Sequence, residues 1–182
     1  MSPLWLFLPL AFAQELTPKQ WEAADSQVRR LPPAAFTQLP TPVRVELERR
    51  GCTIPQVPMI EAPHNVIQGE FAKPGQTDWA VLCSTGRVSS ILVFWNGSPT
   101  NPAELSKTKD ADRLQGWGGE KIVYDWVISP VGGKSIMEHY TAYGGEKPPP
   151  IDHQGIDDAI YGKASVVQYF YQGKWLHLTG AD

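Results

Sequence analysis

Residues 79–95, WAVLCSTGRVSSILVFW, decide the fold. Two β-rich runs, 79–84 and 88–95, flank the turn-forming triplet 85–87, and this pattern predicts an antiparallel hairpin. Residues 79–83 and 91–95 are apolar at successive positions. In a strand with one solvent-exposed face, apolar and polar residues alternate instead. Strands that are apolar at successive positions need cover on both faces. We therefore expect a buried sheet with helices on one side and loops or a partner on the other.

Further strands are predicted on both sides of this hairpin. An upstream strand at 65–71, joined through the turn residues 73–76, completes a three-stranded meander. Residues 96–112 are polar and loop-like, with one helical turn at 103–107. Downstream, the pattern predicts a strand at 122–128, a short helix at 135–143 and a closing hairpin of strands 164–171 and 174–178. No internal repeat is expected, and the meander and closing hairpin are expected to form a single antiparallel sheet.

Two helices are predicted before the first strand. Residues 17–20, TPKQ, supply an N-cap threonine, a proline at the first helical position and a glutamine at the capping-box position. Thr41-Pro42 begins a second helix, and Gly51 ends it. We expect residues 14–60 to form a helical arm packed on the sheet. Residues 61–182 are then the sheet region of the same α+β domain.

The first thirteen residues, MSPLWLFLPLAFA, have the composition of a signal peptide. Residues 4–13 carry no charge and end on Ala11-Phe12-Ala13, a small-x-small pattern that predicts cleavage before Gln14. About ten apolar residues are too few for a membrane span, which needs roughly twenty. The sequence thus predicts export to a periplasm or to the medium, with no transmembrane anchor in the mature chain.

The chain contains two cysteines, Cys52 and Cys83. In an exported protein the default expectation is one disulfide, and the alternative is two buried free thiols. Closing a loop of about thirty residues would stabilise the fold by ~3–4 kcal/mol in the chain-entropy model. The bond would join the helical arm to the sheet.

The charge of the chain argues against a nucleic-acid partner. The formal net charge is −3, and the leader has no ionisable side chain, so the mature chain keeps this value. Nucleic-acid binders usually carry a basic patch. The arginine pairs Arg29-Arg30 and Arg49-Arg50 both stand where a helix is expected to end, and cations there complement the helix dipole. No motif for a cofactor is present.

Residues 69–71, GEF, followed by residues 78–82, DWAVL, are similar to half of an FG-GAP blade, the repeat of integrin-type propellers. The intervening loop, 72–77, lacks the Asp-x-Asp-x-Asp-Gly ligands that bind calcium in that family. A propeller also needs several blades, and the resemblance covers one segment. It therefore implies a local strand–turn–strand shape, with neither calcium binding nor propeller architecture.

One segment concentrates acidic and imidazole side chains. Its candidate residues for a polar or metal-binding cluster are Asp152, His153, Asp157 and Asp158. They would bind a hard cation or position a water for acid–base chemistry, with His139 or His177 as a partner. The spacing matches no established metal motif, and the alternative is a surface loop whose aspartates cap a helical turn.

Aromatic residues provide a second candidate site. Trp117 lies between glycines in a predicted loop, and Tyr169 and Tyr171 share one face of the closing hairpin. Aromatic rings in such places stack on sugars or enter a partner's pocket, whereas the alternative is packing in the core.

These observations predict an exported binding module for a glycan or protein partner of the envelope or extracellular space. Two alternatives remain open. One is a small hydrolase, metal-assisted or acid–base, that uses the 152–158 segment. The other is a structural envelope component.

Overall fold

The computed structural model describes residues 16–119 and 121–182. These residues form an α+β structure with three α-helices and four antiparallel sheets. The expectation of a single sheet is therefore wrong. The predicted signal peptide, 1–13, lies outside the described residues. Among the described residues, none of the helices combines the length and apolar character needed to cross a membrane.

The helices and strands have the following bounds. The α-helices are α1 (Pro18–Gln27), α2 (Thr41–Arg49) and α3 (Gly133–Tyr143). The strands are β1 (Arg30–Leu31), β2 (Ile54–Pro55), β3 (Val66–Gly69), β4 (Asp78–Thr85), β5 (Val88–Phe94), β6 (Ala103–Lys109), β7 (Leu114–Gly116), β8 (Ile122–Tyr124), β9 (Trp126–Val131), β10 (Gly155–Ile160), β11 (Ala164–Tyr171) and β12 (Lys174–Thr179). Short 3-10 turns occupy Pro33–Ala35, Trp95–Gly97 and Asp110–Arg113.

Two of the sheets are four-stranded meanders of consecutive strands. The first sheet has the order β3-β4-β5-β6, and the second has the order β9-β10-β11-β12. The pairs β1-β2 and β7-β8 form two small additional sheets. After β6, the turn at Asp110–Arg113 and the β7-β8 hairpin carry the chain away from the first sheet. The chain therefore begins a second meander at β9 instead of extending the first.

The two large sheets pack face to face between two helical layers. One face of the first sheet packs on α2 and the preceding turn, in a core that includes Phe36, Val43, Leu47, Val81, Leu92 and Phe94. Its other face meets the second sheet, in a core that includes Ala80, Leu82, Ile91, Val93, Trp126, Ile128 and Ile156. Beyond the second sheet, Ile136 of α3 packs on Val167, Tyr169 and Leu178. The second sheet covers the other face of β4 and β5, so the expectation of loops or a partner there is wrong.

The two large sheets also share a short matching segment, although no internal repeat was expected. Residues 86–97, GRVSSILVFWNG, and 162–173, GKASVVQYFYQG, are identical at four positions in twelve. Each segment contains the third strand of its meander and ends on two residues with positive φ. These φ values are 52° and 65° at Asn96 and Gly97, and 49° and 81° at Gln172 and Gly173. The matched segments therefore end in the same backbone turn.

The N-terminal arm is held by caps and by a cysteine pair. Thr17 and Gln20 form the predicted capping box of α1, with the Thr17 backbone N–H donating to Gln20 Oε1 at 2.7 Å. The sulfur atoms of Cys52 and Cys83 lie within bonding distance, and their Cα atoms are 5.4 Å apart. This pair connects the segment after α2 to β4.

Candidate functional site

A cleft of about 370 Å³ opens between the two large sheets, where β6 lies beside β10, β11 and β12. This volume falls within the range of small-molecule sites. Its polar lining includes Ser106, Lys107, Arg113, Asp158, Gln168 and His177, and its apolar lining is Ile160, Ala164 and Val166. Val166 is 42% exposed, so an apolar side chain is accessible inside the cleft.

A β-bulge directs Ser106 toward the second sheet. The register between β5 and β6 shifts between Ser89 and Ile91, so that one residue of β5 lies opposite Ser106 and Lys107. Ser106 has a φ of 52°, a conformation that costs a non-glycine residue about 1–2 kcal/mol. The Ser106 hydroxyl donates to Asp158 Oδ2 at 2.5 Å. Bulges are frequent beside functional sites, where they re-aim a side chain.

Asp158 is the centre of a polar cluster beneath the cleft. Its carboxylate accepts hydrogen bonds from the Ser106 hydroxyl, from the Trp126 indole N–H at 2.6 Å and from the Gln168 amide at 3.1 Å. Gln168 Nε2 also donates to the Ser106 hydroxyl at 3.1 Å. Asp158 is 9% exposed, and a buried carboxylate is tolerated when its oxygens are hydrogen-bonded in this way. The cluster therefore fixes the side chains that line the cleft.

Arg113 supplies a positive charge to the cleft. Its guanidinium carbon lies 4.1 Å from the centroid of the Trp126 ring, in a cation–π contact. Lys107 is a second cation at the cleft and forms an exposed ion pair with Glu104 at 3.3 Å. Arginine stacked on an aromatic face keeps its N–H groups in the plane of the guanidinium, where they match planar acceptors.

Three partly buried aromatic rings lie on the same face of the second sheet. Phe170 follows Gln168 by two residues on β11 and pairs with Trp175 on β12, so its side chain projects on the cleft side. The ring centroids of Trp95 and Phe170 are 5.0 Å apart, and those of Trp95 and Trp175 are 5.7 Å apart. The cleft side of β11 thus carries polar side chains followed by an aromatic patch, defined by Trp95, Phe170 and Trp175.

The predicted acidic cluster is divided between two faces of the second sheet. Asp157 and Asp158 are consecutive residues of β10, where side chains alternate, instead of lying in a loop or capping a helical turn. Asp158 lines the cleft together with His177. Asp157 lies on the α3 side, where burial raises its pKa, and the Ser165 hydrogen bond and nearby His139 oppose the shift. The structure therefore brings Asp158, but not Asp157, to the same cleft as His177.

The other two residues of that cluster contact Tyr169. His153 is 8% exposed, and its ring stacks on Tyr169 with centroids 4.4 Å apart. Its ring nitrogens each lie 2.9 Å from a backbone carbonyl oxygen, one of Gln154 and one of Phe170. The Tyr169 hydroxyl donates to Asp152 Oδ1 at 3.3 Å. In residues 16–119 and 121–182, no three His, Cys, Asp or Glu side chains are grouped so as to hold a metal ion.

The aromatic platform expected from Trp117, Tyr169 and Tyr171 does not form. Tyr169 is fully buried, because its side of β11 packs beneath α3, and Tyr171 packs at the edge of the same core. Trp117 is 37% exposed, and its ring lies 6.0 Å from the ring of Tyr161. Tyr161 begins the β10-β11 turn, which directly follows a residue that lines the cleft. Trp117 therefore lies near one end of the cleft, away from Tyr169 and Tyr171.

Several cleft residues were not identified from the sequence. Ser106 belongs to a segment predicted to be a loop with a helical turn, but it lies on the edge strand β6. The positive φ of Ser106 could not be predicted from the sequence, because serine is not a residue type that favours this conformation. The available signal was Gln168, a polar residue between apolar neighbours in a predicted strand.

The chain matches no protein-family model, and neither the curated proteins nor the solved structures contain a match to it. The cleft offers fixed hydroxyl and amide groups, cationic side chains and an adjacent aromatic patch. This combination suits the reversible binding of a polar ligand that also has apolar faces.

Proposed function

We propose that the protein is an exported, non-catalytic binding module whose inter-sheet cleft holds a glycan of the envelope or extracellular space. The observation that carries this proposal is the fixed polar cluster of Ser106, Asp158 and Gln168 beside the aromatic patch. A sugar presents hydroxyl groups at its rim and C–H groups on its faces. The cluster fixes the floor of the cleft, the accessible polar groups around it (Lys107, Arg113 and His177) suit the hydroxyls, and the aromatic rings suit the faces.

The order of the side chains along β11 supports an extended ligand. On the cleft side of β11, Ala164, Val166, Gln168 and Phe170 follow one another at every second residue. Strand geometry gives a distance of about 20 Å from the first to the last of them. The side chains at the start of this row, Ala164 and Val166, are apolar. Gln168 in the middle is polar, and Phe170 at the end is aromatic. A chain of sugar units lying along β11 would contact Ala164 and Val166 in the cleft and reach Phe170 beyond the buried Gln168.

The carboxylates of the cleft favour binding over hydrolysis. Glycosidases generally place two carboxyl groups on opposite sides of the scissile bond, about 5–10 Å apart. Among the described residues that line the cleft, Asp158 is the single carboxylic acid. Its oxygens already accept three hydrogen bonds, and Asp157 lies on the other face of β10. The Ser106 hydroxyl donates to Asp158 and is not paired with His177.

Filling the cleft tests the proposal. Val166 is 42% exposed and lines the cleft, so Val166→Tyr should fill it while leaving the cores intact. We expect this variant to lose at least tenfold in affinity for soluble cell-wall glycan fragments, measured by isothermal titration calorimetry. Tyrosine is well accepted in strands, so the melting temperature should change little.

The matched control is Val45→Tyr. Val45 is 54% exposed on α2, on the opposite side of the first sheet from the cleft, and this variant should bind as the wild type does. Equal affinity of all three proteins would contradict binding in the cleft. Release of shorter products from the fragments, detected by chromatography and abolished in Asp158→Asn, would instead support the hydrolase alternative.

A further inference from the structure

We propose that Arg113 makes the cleft selective for glycans that carry carboxylate groups. This inference rests on the glycan-binding function proposed above. Nothing in the sequence distinguishes Arg113 from the other arginines, and its role follows from its surroundings in the structure.

The guanidinium of Arg113 rests on a buried aromatic ring. It stacks on Trp126, which is fully buried and whose indole N–H is anchored to Asp158 at 2.6 Å. The ring that supports the guanidinium is therefore itself immobile. The Arg113 guanidinium forms no ion pair with any described residue, so its N–H donors are available to a ligand. A pre-oriented guanidinium binds a carboxylate through two parallel hydrogen bonds and loses little conformational entropy in doing so.

The acidic residues near Arg113 form no ion pair with it, and Asp158 of the same cleft accepts its hydrogen bonds from Ser106, Trp126 and Gln168. Asp110 is buried and accepts hydrogen bonds from Arg30, Ser84 and Ser89. Asp112 accepts a hydrogen bond from Thr108 at 3.2 Å.

Asp125 lies close enough to feel the charge of Arg113, but it is 1% exposed and its carboxylate makes no hydrogen bond with any described residue. Within the described part of the chain, Arg113 thus has no carboxylate as an ion-pair partner. Its charge is left for a ligand that enters the cleft.

The position of Arg113 relative to the aromatic patch favours an acidic glycan over a small anion. Arg113 lies over Trp126, which pairs with Ile160 at one end of β10, whereas Phe170 lies farther along β11. A ligand that uses both regions needs a carboxylate at one point and sugar faces at another. An inorganic anion would use the cation alone.

The experiment compares two forms of one ligand. Soluble cell-wall glycan fragments are prepared with their carboxylates free and with the same carboxylates converted to methyl amides. We expect the wild-type protein to bind the free form at least tenfold more tightly, since a charge-assisted bidentate pair is worth that much in affinity. Arg113→Gln should bind both forms equally, at the affinity of the wild type for the amidated form.

Two further variants control for charge and for folding. Arg113→Lys keeps the charge but not the planar fork, and we expect it to recover only part of the selectivity. Lys73→Gln removes an exposed cation from the β3-β4 turn, outside the cleft, and should retain the full wild-type preference. Melting temperatures of all variants within a few degrees of the wild type would show that they fold.

The outcomes separate this inference from the proposed function. Equal binding of both ligand forms by the wild type would overturn the role of Arg113 while leaving glycan binding in place. Full selectivity in Arg113→Gln would also overturn it. Failure of the wild type to bind either form would contradict the glycan-binding proposal itself.

Discussion

At the scale of single residues, Asp125 shows how burial controls ionisation in this fold. The residue stands at the junction of β8 and β9 and is 1% exposed. Its backbone N–H donates to Arg113 O, and its carbonyl accepts from the Tyr161 N–H, so the backbone on both sides is fixed. Neither carboxylate oxygen has a hydrogen-bond partner among the described residues. Burial raises the pKa of this carboxyl to about 6, although Arg113 and Lys163 act in the opposite direction.

This raised pKa predicts a pH-dependent gain of stability in Asp125→Asn. The native state binds a proton at Asp125 more tightly than the unfolded state, so the wild type loses stability as the pH rises from about 4 to above 6. A difference of about two pKa units corresponds to about 3 kcal/mol. Asn cannot ionise, so the variant should unfold at higher urea concentration than the wild type at pH 8, and this advantage should shrink toward pH 4.

Glu22→Gln is the control for this measurement, because Glu22 is exposed on α1. It should leave the pH dependence of the urea midpoint unchanged. The account of Asp125 fails if the difference between Asp125→Asn and the wild type is the same at pH 4 and pH 8.

At the scale of elements, a buried charge network connects α1 to the first sheet. Arg30, just after α1, donates to Asp110 at 2.7 Å and to Asp25 at 3.1 Å. Asp110 is fully buried and also accepts from the hydroxyls of Ser84 on β4 and Ser89 on β5. The network thus links a helix, two strands and the 3-10 turn that follows β6. The sequence suggested only that Arg29 and Arg30 complement a helix dipole, because long-range pairing is not visible in local sequence.

The two adjacent arginines provide a matched test. Arg30→Met should lower the free energy of unfolding by about 3–5 kcal/mol, since it leaves the Asp110 carboxylate buried without its cation. Arg29→Met removes the same charge from an exposed position and should change the stability by less than about 0.5 kcal/mol. Urea unfolding at pH 7 measures both, and equal effects of the two substitutions would refute the role assigned to the network.

At the scale of the whole molecule, local patterns predicted strands better than they predicted how the strands are assembled. The apolar runs at 79–83 and 91–95 correctly required cover on both faces, and the closing hairpin was placed correctly at 164–178. The second sheet was missed as a separate layer, because nothing local distinguishes a strand that extends a sheet from one that begins another. The prediction of one acidic cluster was wrong for a related reason, because residues 157–158 were interpreted as part of a loop. Reading 157–158 as a strand would have placed the two carboxylates on opposite faces.

The cleft is a property of the assembled molecule. Its lining comes from β6 and the following turn on one side, and from β10, β11 and β12 on the other. Arg113 and Asp158 are 45 positions apart in the sequence, and Trp126 connects them. The Arg113 guanidinium lies over the Trp126 ring, and the Trp126 indole N–H donates to Asp158. No segment of the chain contains the site by itself. We therefore propose that ligand binding at this cleft requires both sheets.

The most direct test of ligand binding at this cleft is a titration of the ¹⁵N-labelled protein with soluble cell-wall glycan fragments, followed in ¹H–¹⁵N spectra. The Trp126 indole N–H, which lies beneath the cleft and donates to Asp158, gives a side-chain signal of its own. The account predicts saturable shifts of this signal and of the Ser106 and Gln168 backbone amides, with little change at Met137 on α3. Unchanged signals at the cleft, or shifts centred on α3, would contradict it.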